Sequence, residues 1–364
     1  MKRASTSMPA DGDGRDAGAG TGGRRWNRRP EGSNWGDFGP DDQIGRMNLL
    51  DAQARLRATR EIRSGESFCL SLPLDYPGGN ALLAHRDEPR FHYAPRGDGY
   101  NFNFALARLS PCACDVISDE GVTLDTQYST HWDALGHVGA LFDADGDGTE
   151  EIVYYNGYRG GSDLVGPEDA GEAKGAHKLG IENLATACPQ GRGVLVDLER
   201  IYGRDRAFVG YDDLMRAMEG MDTEIAQGDF LCLHTGFADL VLSMRKNPDP
   251  EVLATSCAGL DGRDQRLLNW ITDSGIVAIC ADNFAVEAYP ARDPGGDPDR
   301  DAHAKLPLHH HCLFKLGVQL GELWYFRELA DWLRAHGRSA FFLSAPPLRL
   351  PGAVGSPVTP IATV

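Results

Sequence analysis

The second half of the chain alternates short apolar runs with amphipathic helical patterns, and this alternation is the feature that most limits its possible folds. The runs GVLVDL, DFLCLHTG, GIVAICAD and SAFFLSA are typical of strands that are buried on both faces. Between the last two, ELWYFRELADWLRAHG carries apolar residues at helical spacing and ends at Gly337. Buried strands that alternate with helices predict an α/β fold, with a mixed sheet covered by helices.

Composition excludes several classes of partner. The chain has 364 residues, 41% of them hydrophobic, and a formal net charge of -17. Nucleic acids and anionic membranes bind proteins with clustered positive charge, so we expect neither as a partner. The expected partner is a small-molecule substrate. No apolar run approaches the ~20 residues that cross a bilayer, and the opening residues lack the apolar stretch of a signal peptide. We therefore expect a cytoplasmic protein.

The first 32 residues differ in composition from the rest. They are rich in Gly, Arg, Asp and Ser and have almost no apolar periodicity, which is typical of a disordered arm. No internal repeat follows. The sequence therefore predicts an arm over residues 1–32 and a single domain over residues 33–364.

The segment QYSTHWDALGH concentrates groups that bind metals and transfer protons. In an extended strand, every second residue from Gln127 to Asp133 projects from one face, which places an amide, the His131 imidazole and a carboxylate side by side. Zinc and manganese accept such nitrogen and oxygen ligands together. His137 follows four residues later and suits proton transfer. The alternative is a polar strand edge with hydrogen-bonded histidines.

A second cluster lies near the other end of the chain. Four of the eleven histidines, His303 and His309 to His311, fall within nine residues, and Glu322 follows in an apolar context. Such a cluster could supply the other half of a metal site.

Together these motifs resemble the cyclase family of metal-dependent hydrolases, which includes kynurenine formamidase and isatin hydrolase. The family pattern is His-x-Gly-Thr-His-x-Asp-x-x-x-His, followed later by a His and, about twelve residues on, a Glu. The matching positions are Thr130, His131, Asp133, His137, His310 and Glu322. Gln127 stands where the family usually has a His, and Ser129 replaces the Gly. Further similar segments extend the resemblance over roughly residues 33 to 364.

The resemblance implies a swivelling β/β/α fold in which both motifs meet at a divalent metal. The implied metal ligands are Gln127, His131, Asp133, His310 and Glu322. Among the three adjacent histidines, only the twelve-residue spacing selects His310. Gln127 offers a neutral oxygen, a weaker ligand than imidazole, so we expect one ion, zinc or manganese. We also expect a homodimer or homotetramer.

The implied reaction is hydrolysis of a small cyclic amide, lactone or N-formyl amide. In the two amide cases, the bond that is cleaved is a carbon-nitrogen bond. A metal-bound hydroxide would attack the carbonyl carbon, His137 would shuttle the proton, and Glu322 would bind the ion or hold its water. Two alternatives stay open: a lyase or cyclase that uses the same ion as a Lewis acid, and a non-catalytic binding protein on the same fold.

Two further groups of polar residues follow predicted strands. His234 ends the run DFLCLH, where a hydrogen-bonded structural role is the simpler interpretation. Asp282, Asn283 and Glu287 lie just beyond the run GIVAICA. Because α/β folds place functional groups at the carboxyl ends of strands, we hold these three residues as candidates for the pocket or for support of the site.

Overall fold

The computed structural model describes residues 24–297 and 302–364. Within these two ranges, no helix has the length and apolar character that a membrane span requires. The first strands of the chain are β1 (Ser67–Cys69), β2 (Arg90–His92), β3 (Pro95–Arg96), β4 (Gly99–Tyr100), β5 (Phe104–Ala105), β6 (Val116–Ile117), β7 (Gly121–Thr123), β8 (His131–Asp133), β9 (Ala140–Phe142), β10 (Glu151–Val153), β11 (Leu164–Val165) and β12 (Gly175–Ala176). They are followed by β13 (Gln190–Asp197), β14 (Ala207–Val209), β15 (Phe230–His234), β16 (Ala258–Leu260), β17 (Ala278–Ala281), β18 (Gln319–Glu322), β19 (Ala340–Ser344), β20 (Gly355–Pro357) and β21 (Ile361–Thr363).

Nine of these strands form one mixed sheet in the order β1-β21-β19-β13-β15-β17-β18-β8-β20. The four strands from β13 to β18 are parallel to one another, and the strands that flank them on either side are antiparallel. The predicted α/β fold with a mixed sheet is confirmed. The runs GVLVDL, DFLCLH, GIVAICA and SAFFLS supply β13, β15, β17 and β19.

Short helices cover the sheet. They are α1 (Ala52–Ala58), α2 (Ile181–Ala187), α3 (Glu199–Tyr202), α4 (Tyr211–Gly220), α5 (Phe237–Ser243), α6 (Pro250–Thr255), α7 (Gln265–Ser274), α8 (Pro307–His309) and α9 (Arg327–Ala335). A π-helical turn, His310–Leu316, continues α8, and 3-10 turns occupy Gly45–Leu49, Thr59–Glu61, Leu106–Arg108 and Tyr155–Gly157.

Alternate residues of the parallel strands pack into two separate cores. Leu231 and Leu233 of β15 face the core to which α4 and α7 contribute. Phe230 and Cys232 face the opposite core, which contains apolar residues of α1 and α9. Because both faces of the central strands are buried, these strands read as continuous apolar runs.

Two local predictions from the sequence need correction. Residues 24–32, which we assigned to a disordered arm, pack onto the domain: Trp26 is buried and the Asn27 backbone donates to the carbonyl of Ala144. The rest of the predicted arm lies outside the described residues. In addition, the segment from Gln127 to Asp133, which we took as one extended strand, is a strand only from His131, because a turn and bends precede β8. The alternation that we assumed from Gln127 onward therefore applies only within β8.

An ion-pair cluster joins the carboxyl ends of β13, β15 and β17. His234 is fully buried, and its Nδ1 lies 3.0 Å from Asp197 Oδ1. Its Nε2 lies 3.7 Å from carboxylate oxygens of both Glu199 and Asp239, and 3.9 Å from one of Asp282. Burial works against protonation of this imidazole, yet the surrounding carboxylates raise the pKa of His234 to about 10.

This cluster predicts a loss of stability at alkaline pH. The pKa of His234 is raised from 6.5, so its stabilising contribution is full below 6.5 and disappears as the pH rises through about 10. The free energy of unfolding, measured by urea denaturation, should therefore fall between pH 7 and pH 10. His234→Gln should be less stable at pH 7 and should show a weaker fall. An equal dependence on pH in both proteins would contradict a cationic His234.

Candidate metal centre

The pairing of β8 with β18 brings the two sequence motifs together. In this antiparallel pair, His131 lies directly opposite Glu322, and Trp132 lies opposite Gly321. Thr130 joins the two strands a second time, because its hydroxyl donates to the carbonyl of Leu323. A separation of nearly 200 residues in sequence thus becomes a direct cross-strand contact.

His131, Asp133 and Glu322 form a buried group that could hold a metal ion. His131 Nε2 lies 3.6 Å from Asp133 Oδ1 and 3.5 Å from Glu322 Oε2. All three residues are at most 3% exposed. His131 Nε2 and Asp133 Oδ2 are buried and have no hydrogen-bond partner among the described residues. Two unsatisfied ligand atoms in a set of one nitrogen and two carboxylates fit a divalent cation such as zinc or manganese.

The backbone fixes the orientation of the His131 ring. Its Nδ1 lies 2.7 Å from the carbonyl oxygen of Ser129, so Nδ1 carries the proton and donates it. Nε2 consequently faces the carboxylates of Asp133 and Glu322. Metal-binding histidines usually have such a partner on the other ring nitrogen.

The structure brings His309, and not His310, to this centre. His309 Nε2 lies 3.1 Å from Glu322 Oε1 and 3.8 Å from Asp133 Oδ2. The ring of His310 instead packs on Phe314 and lines a separate cavity. His309, and not the His310 that the twelve-residue spacing selected, contacts Glu322. The ligand role that we predicted for His310 is therefore corrected.

Glu287 holds His309 in this position. Its carboxylate accepts hydrogen bonds from His309 Nδ1 at 2.7 Å and from the backbone amides of Leu308 and His309, both at 3.1 Å. Burial opposes the charged imidazole, but the two carboxylates outweigh it and raise the pKa of His309 to about 10. Burial also opposes the Glu322 anion, whereas the hydrogen bond from His309 lowers the pKa of Glu322 to about 2. Without a bound cation, His309 therefore carries the balancing charge.

Gln127 presents its amide nitrogen to the centre. Nε2 lies 2.5 Å from Asp133 Oδ1 and 3.0 Å from His137 Nδ1. Because an ionised carboxylate only accepts hydrogen bonds, the amide must face it with N–H. Gln127 thus holds Asp133 and His137, and its predicted role as an oxygen ligand is not supported by this orientation. Gly355 makes room for it, since a Cβ there would lie 2.7 Å from Gln127 Cγ.

His137 occupies the rim of the centre. Its side chain is 23% exposed, and its Nε2 lies 3.8 Å from Asp133 Oδ1. Burial is the main cause that lowers the pKa of His137, while the charge of Asp133 works in the opposite direction. A neutral imidazole at the open side of a metal centre is suited to accept a proton.

The family resemblance implied that His131, Asp133, Glu322 and His137 lie together, and in the structure they do. The sequence left the choice among three adjacent histidines to a spacing of twelve residues, and it offered Glu287 only as a candidate for support of the site. It gave no sign of Arg86, whose Nη1 donates to the Gln127 carbonyl at 2.8 Å. Arg86 belongs to a loop that reaches the centre only through tertiary packing.

Comparisons with known proteins identify the family and the fold. The family model described as "Putative cyclase" matches residues 68–288. A crystal structure of a novel cyclase is 31% identical, with a TM-score of 0.70, over 91% of this chain and 97% of that chain. Two isatin hydrolases share the fold over 86% of this chain and 99% of their own. The one from Labrenzia aggregata, bound to benzyl benzoate, is 12% identical with a TM-score of 0.51. The other, bound to thioisatinate, is 15% identical with a TM-score of 0.52.

No curated protein gives a significant match.

The ligand assignment predicts which substitutions remove metal. Asp133→Asn should abolish stoichiometric metal binding, measured by elemental analysis after dialysis against zinc or manganese, because it removes one of two carboxylates. His310→Ala is the matched control and should keep its metal, because its ring lies on Phe314. Retention of metal by Asp133→Asn, or its loss in His310→Ala, would reverse the assignment.

The family model matches more than half of the chain, and the 31% identical structure covers nearly all of it, so this protein belongs to the cyclase family.

Proposed function

We propose that this protein is a metal-dependent hydrolase of a small cyclic amide, lactone or N-formyl amide. The observation that carries the proposal is the buried pair of unpartnered ligand atoms, His131 Nε2 and Asp133 Oδ2, beside a partly exposed, neutral His137. Membership of a family whose structural neighbours include isatin hydrolases supports the reaction class.

His131, Asp133 and Glu322 would hold the cation, and His309 would adjust to it. When bound, a divalent ion lowers the pKa of a coordinated water to about 7 and polarises a carbonyl group. A cation next to Glu322 would also take over the balancing charge that His309 supplies in its absence. The His309–Glu287 pair would then orient Glu322 through its imidazole.

His137 would move the proton. Because its Nδ1 accepts a hydrogen bond from the Gln127 amide, the neutral ring carries its proton on Nε2. His137 would donate this proton to the leaving nitrogen or oxygen and would recover one from the attacking water. Gln127 therefore fixes the tautomer of His137 while it holds Asp133.

The proton-transfer role is tested by His137→Ala. This variant should keep its metal, because His137 contributes no ligand, and should lose roughly 10² to 10⁴ in turnover. The assay follows isatin, a formanilide and a fused aryl lactone by mass spectrometry, in which hydrolysis adds one water. Loss of metal would make His137 a ligand. A product without the added water would favour the cyclase or lyase alternative.

Gln127→Leu tests the coupling between Asp133 and His137. The substitution keeps the approximate shape but removes both hydrogen bonds, so we expect bound metal, a turnover lowered by about 10-fold or more, and a changed pH-rate profile. Gln127→Glu serves as the comparison, because its oxygens contact the same atoms with a repulsive charge and should weaken activity further. An unchanged pH-rate profile in Gln127→Leu would show that the amide does not govern His137.

A further inference from the structure

Residues 90–123, which contain β2 to β7, form an arm with almost no core of its own. In the arm, β2 pairs with β7, β3 with β4 and β5 with β6, so it consists of three two-stranded sheets. Within residues 90–123 only Phe104 is buried, and the guanidinium groups of Arg96 and Arg108 lie over its ring. Two-stranded sheets are marginally stable in water unless an apolar face packs against another element. The arm therefore needs a partner for its surface.

The arm also carries a concentration of exposed apolar side chains. Seven of the seventeen exposed large apolar residues in the described part of the chain lie in the arm, and four of these seven are aromatic. Single exposed apolar residues are normal on a protein surface, whereas a concentration of them marks an interaction site. The seven residues are Phe91, Tyr93, Tyr100, Phe102, Leu109, Val116 and Val122.

Four of these side chains form a contiguous surface, which we call the arm face: Phe91, Tyr93, Phe102 and Val122. Phe91 lies directly opposite Val122 in the pair of β2 and β7. Phe91 and Tyr93 are two residues apart, a spacing that places the side chains of an extended segment on one side. The rings of Tyr93 and Phe102 pack edge to face, with their centroids 4.9 Å apart. The arm face therefore spans both ends of the arm's strand pairs.

The exposed apolar area suits an interface between two proteins. The four aromatic residues of the arm are 42% to 64% exposed, and since an aromatic side chain can bury about 200 Å², they offer about 400 Å² together. A specific interface takes about 800 Å² from each partner, and a little over half of that area is apolar. The arm alone thus supplies most of the apolar area that one side of such an interface requires.

The charges of the arm are complementary to those of a second copy. Residues 90–109 contain three arginines and one acidic residue, a net charge of +2, whereas residues 110–123 contain three acidic residues and no basic one, a net charge of -3. The arm as a whole carries only -1 of the net charge of -17. Two such arms, related by a two-fold axis, can place the basic part of each against the acidic part of the other. Two of the acidic bodies in direct contact would instead repel each other.

We propose that the arm is a dimerisation surface, and that the arm face packs on the arm face of a second copy of this chain. A surface that packs on itself about a two-fold axis closes into a dimer and leaves no free copy of the surface. The arm is inserted between Arg86 and Gln127, which are joined by a hydrogen bond of 2.8 Å. The interface would therefore adjoin the metal centre of each copy at the base of its arm.

Sedimentation equilibrium of the full chain tests this surface. The wild-type protein should be a dimer, or a tetramer built from dimers, at micromolar concentration. In Phe91→Glu, a charge replaces an exposed side chain of the arm face, and symmetry places the change in the interface twice. We therefore expect the dissociation constant of the dimer to rise roughly 100-fold or more. A monomeric wild-type protein, or an unchanged dissociation constant in Phe91→Glu, would overturn the proposal.

Leu141→Glu is the matched control. Leu141 is 67% exposed, compared with 64% for Phe91, and it lies opposite Ile152 in the two-stranded sheet of β9 and β10, outside the arm. This variant should associate as the wild-type protein does. An equal loss of association in Leu141→Glu would contradict the assignment of the interface to the arm. Circular dichroism shows that both variants are folded.

Hydrogen exchange on the wild-type protein tests the surface without any substitution. The backbone amides of residues 90–123 should exchange more slowly above the dissociation constant of the dimer than below it, because the second copy covers them. The amides of β9 and β10 should exchange at the same rate in both conditions. Equal exchange of residues 90–123 in the dimer and in the monomer would overturn the proposal.

Discussion

The cross-strand contact between His131 and Glu322 is the constraint on which the rest of the centre depends. A strand pair fixes the side-chain faces with a period of two, so a shift of one residue would turn Glu322 away from His131. The contacts of Thr130 with the Leu323 carbonyl and the Leu72 amide hold this register. Since β18 is also the last parallel strand of the sheet, the α/β core positions Glu322, and the antiparallel strand β8 beside it supplies His131 and Asp133.

A layer of supporting groups then decides what each ligand can do. The Ser129 carbonyl assigns the proton of His131 to Nδ1, and the Gln127 amide holds one oxygen of Asp133. Glu287 holds His309 against Glu322. Each support acts through a hydrogen bond of fixed direction, so the ligand atoms left without partners face one small volume. These hydrogen bonds fix the orientations of the ligands, which limits the cost of reorganisation when a cation binds.

The sequence predicted the parts that depend on local pattern. The runs that became β13, β15, β17 and β19 were recognisable because strands buried on both faces are continuously apolar. The pair His131 and Asp133 was recognisable because both residues lie on one three-residue strand. Gln127 was misjudged because a turn precedes β8, and in a turn the side-chain direction no longer follows a period of two. The spacing selected His310 in place of His309 because adjacent residues of a helical segment point about 100° apart, and a spacing in sequence cannot show which of them faces Glu322.

Two buried histidines, His131 and His234, each belong to a group that could hold a metal ion. His131 and His234 have similar surroundings: each has Nδ1 bound to an oxygen and Nε2 between carboxylates at 3.5 to 3.9 Å. Glu199 and Asp239, however, both pair with the guanidinium of Arg327, which supplies a permanent positive charge beside His234. Within residues 24–297 and 302–364, no arginine or lysine forms an ion pair with Asp133 or Glu322, although the charge of Arg86 acts on Glu322 from a greater distance. The cationic group in contact with Glu322 is His309. An arginine keeps its charge, whereas a histidine can release its proton when a metal ion binds. The cluster around His234 therefore favours an ion-pair network, and the proposed metal site belongs to the pair of β8 and β18.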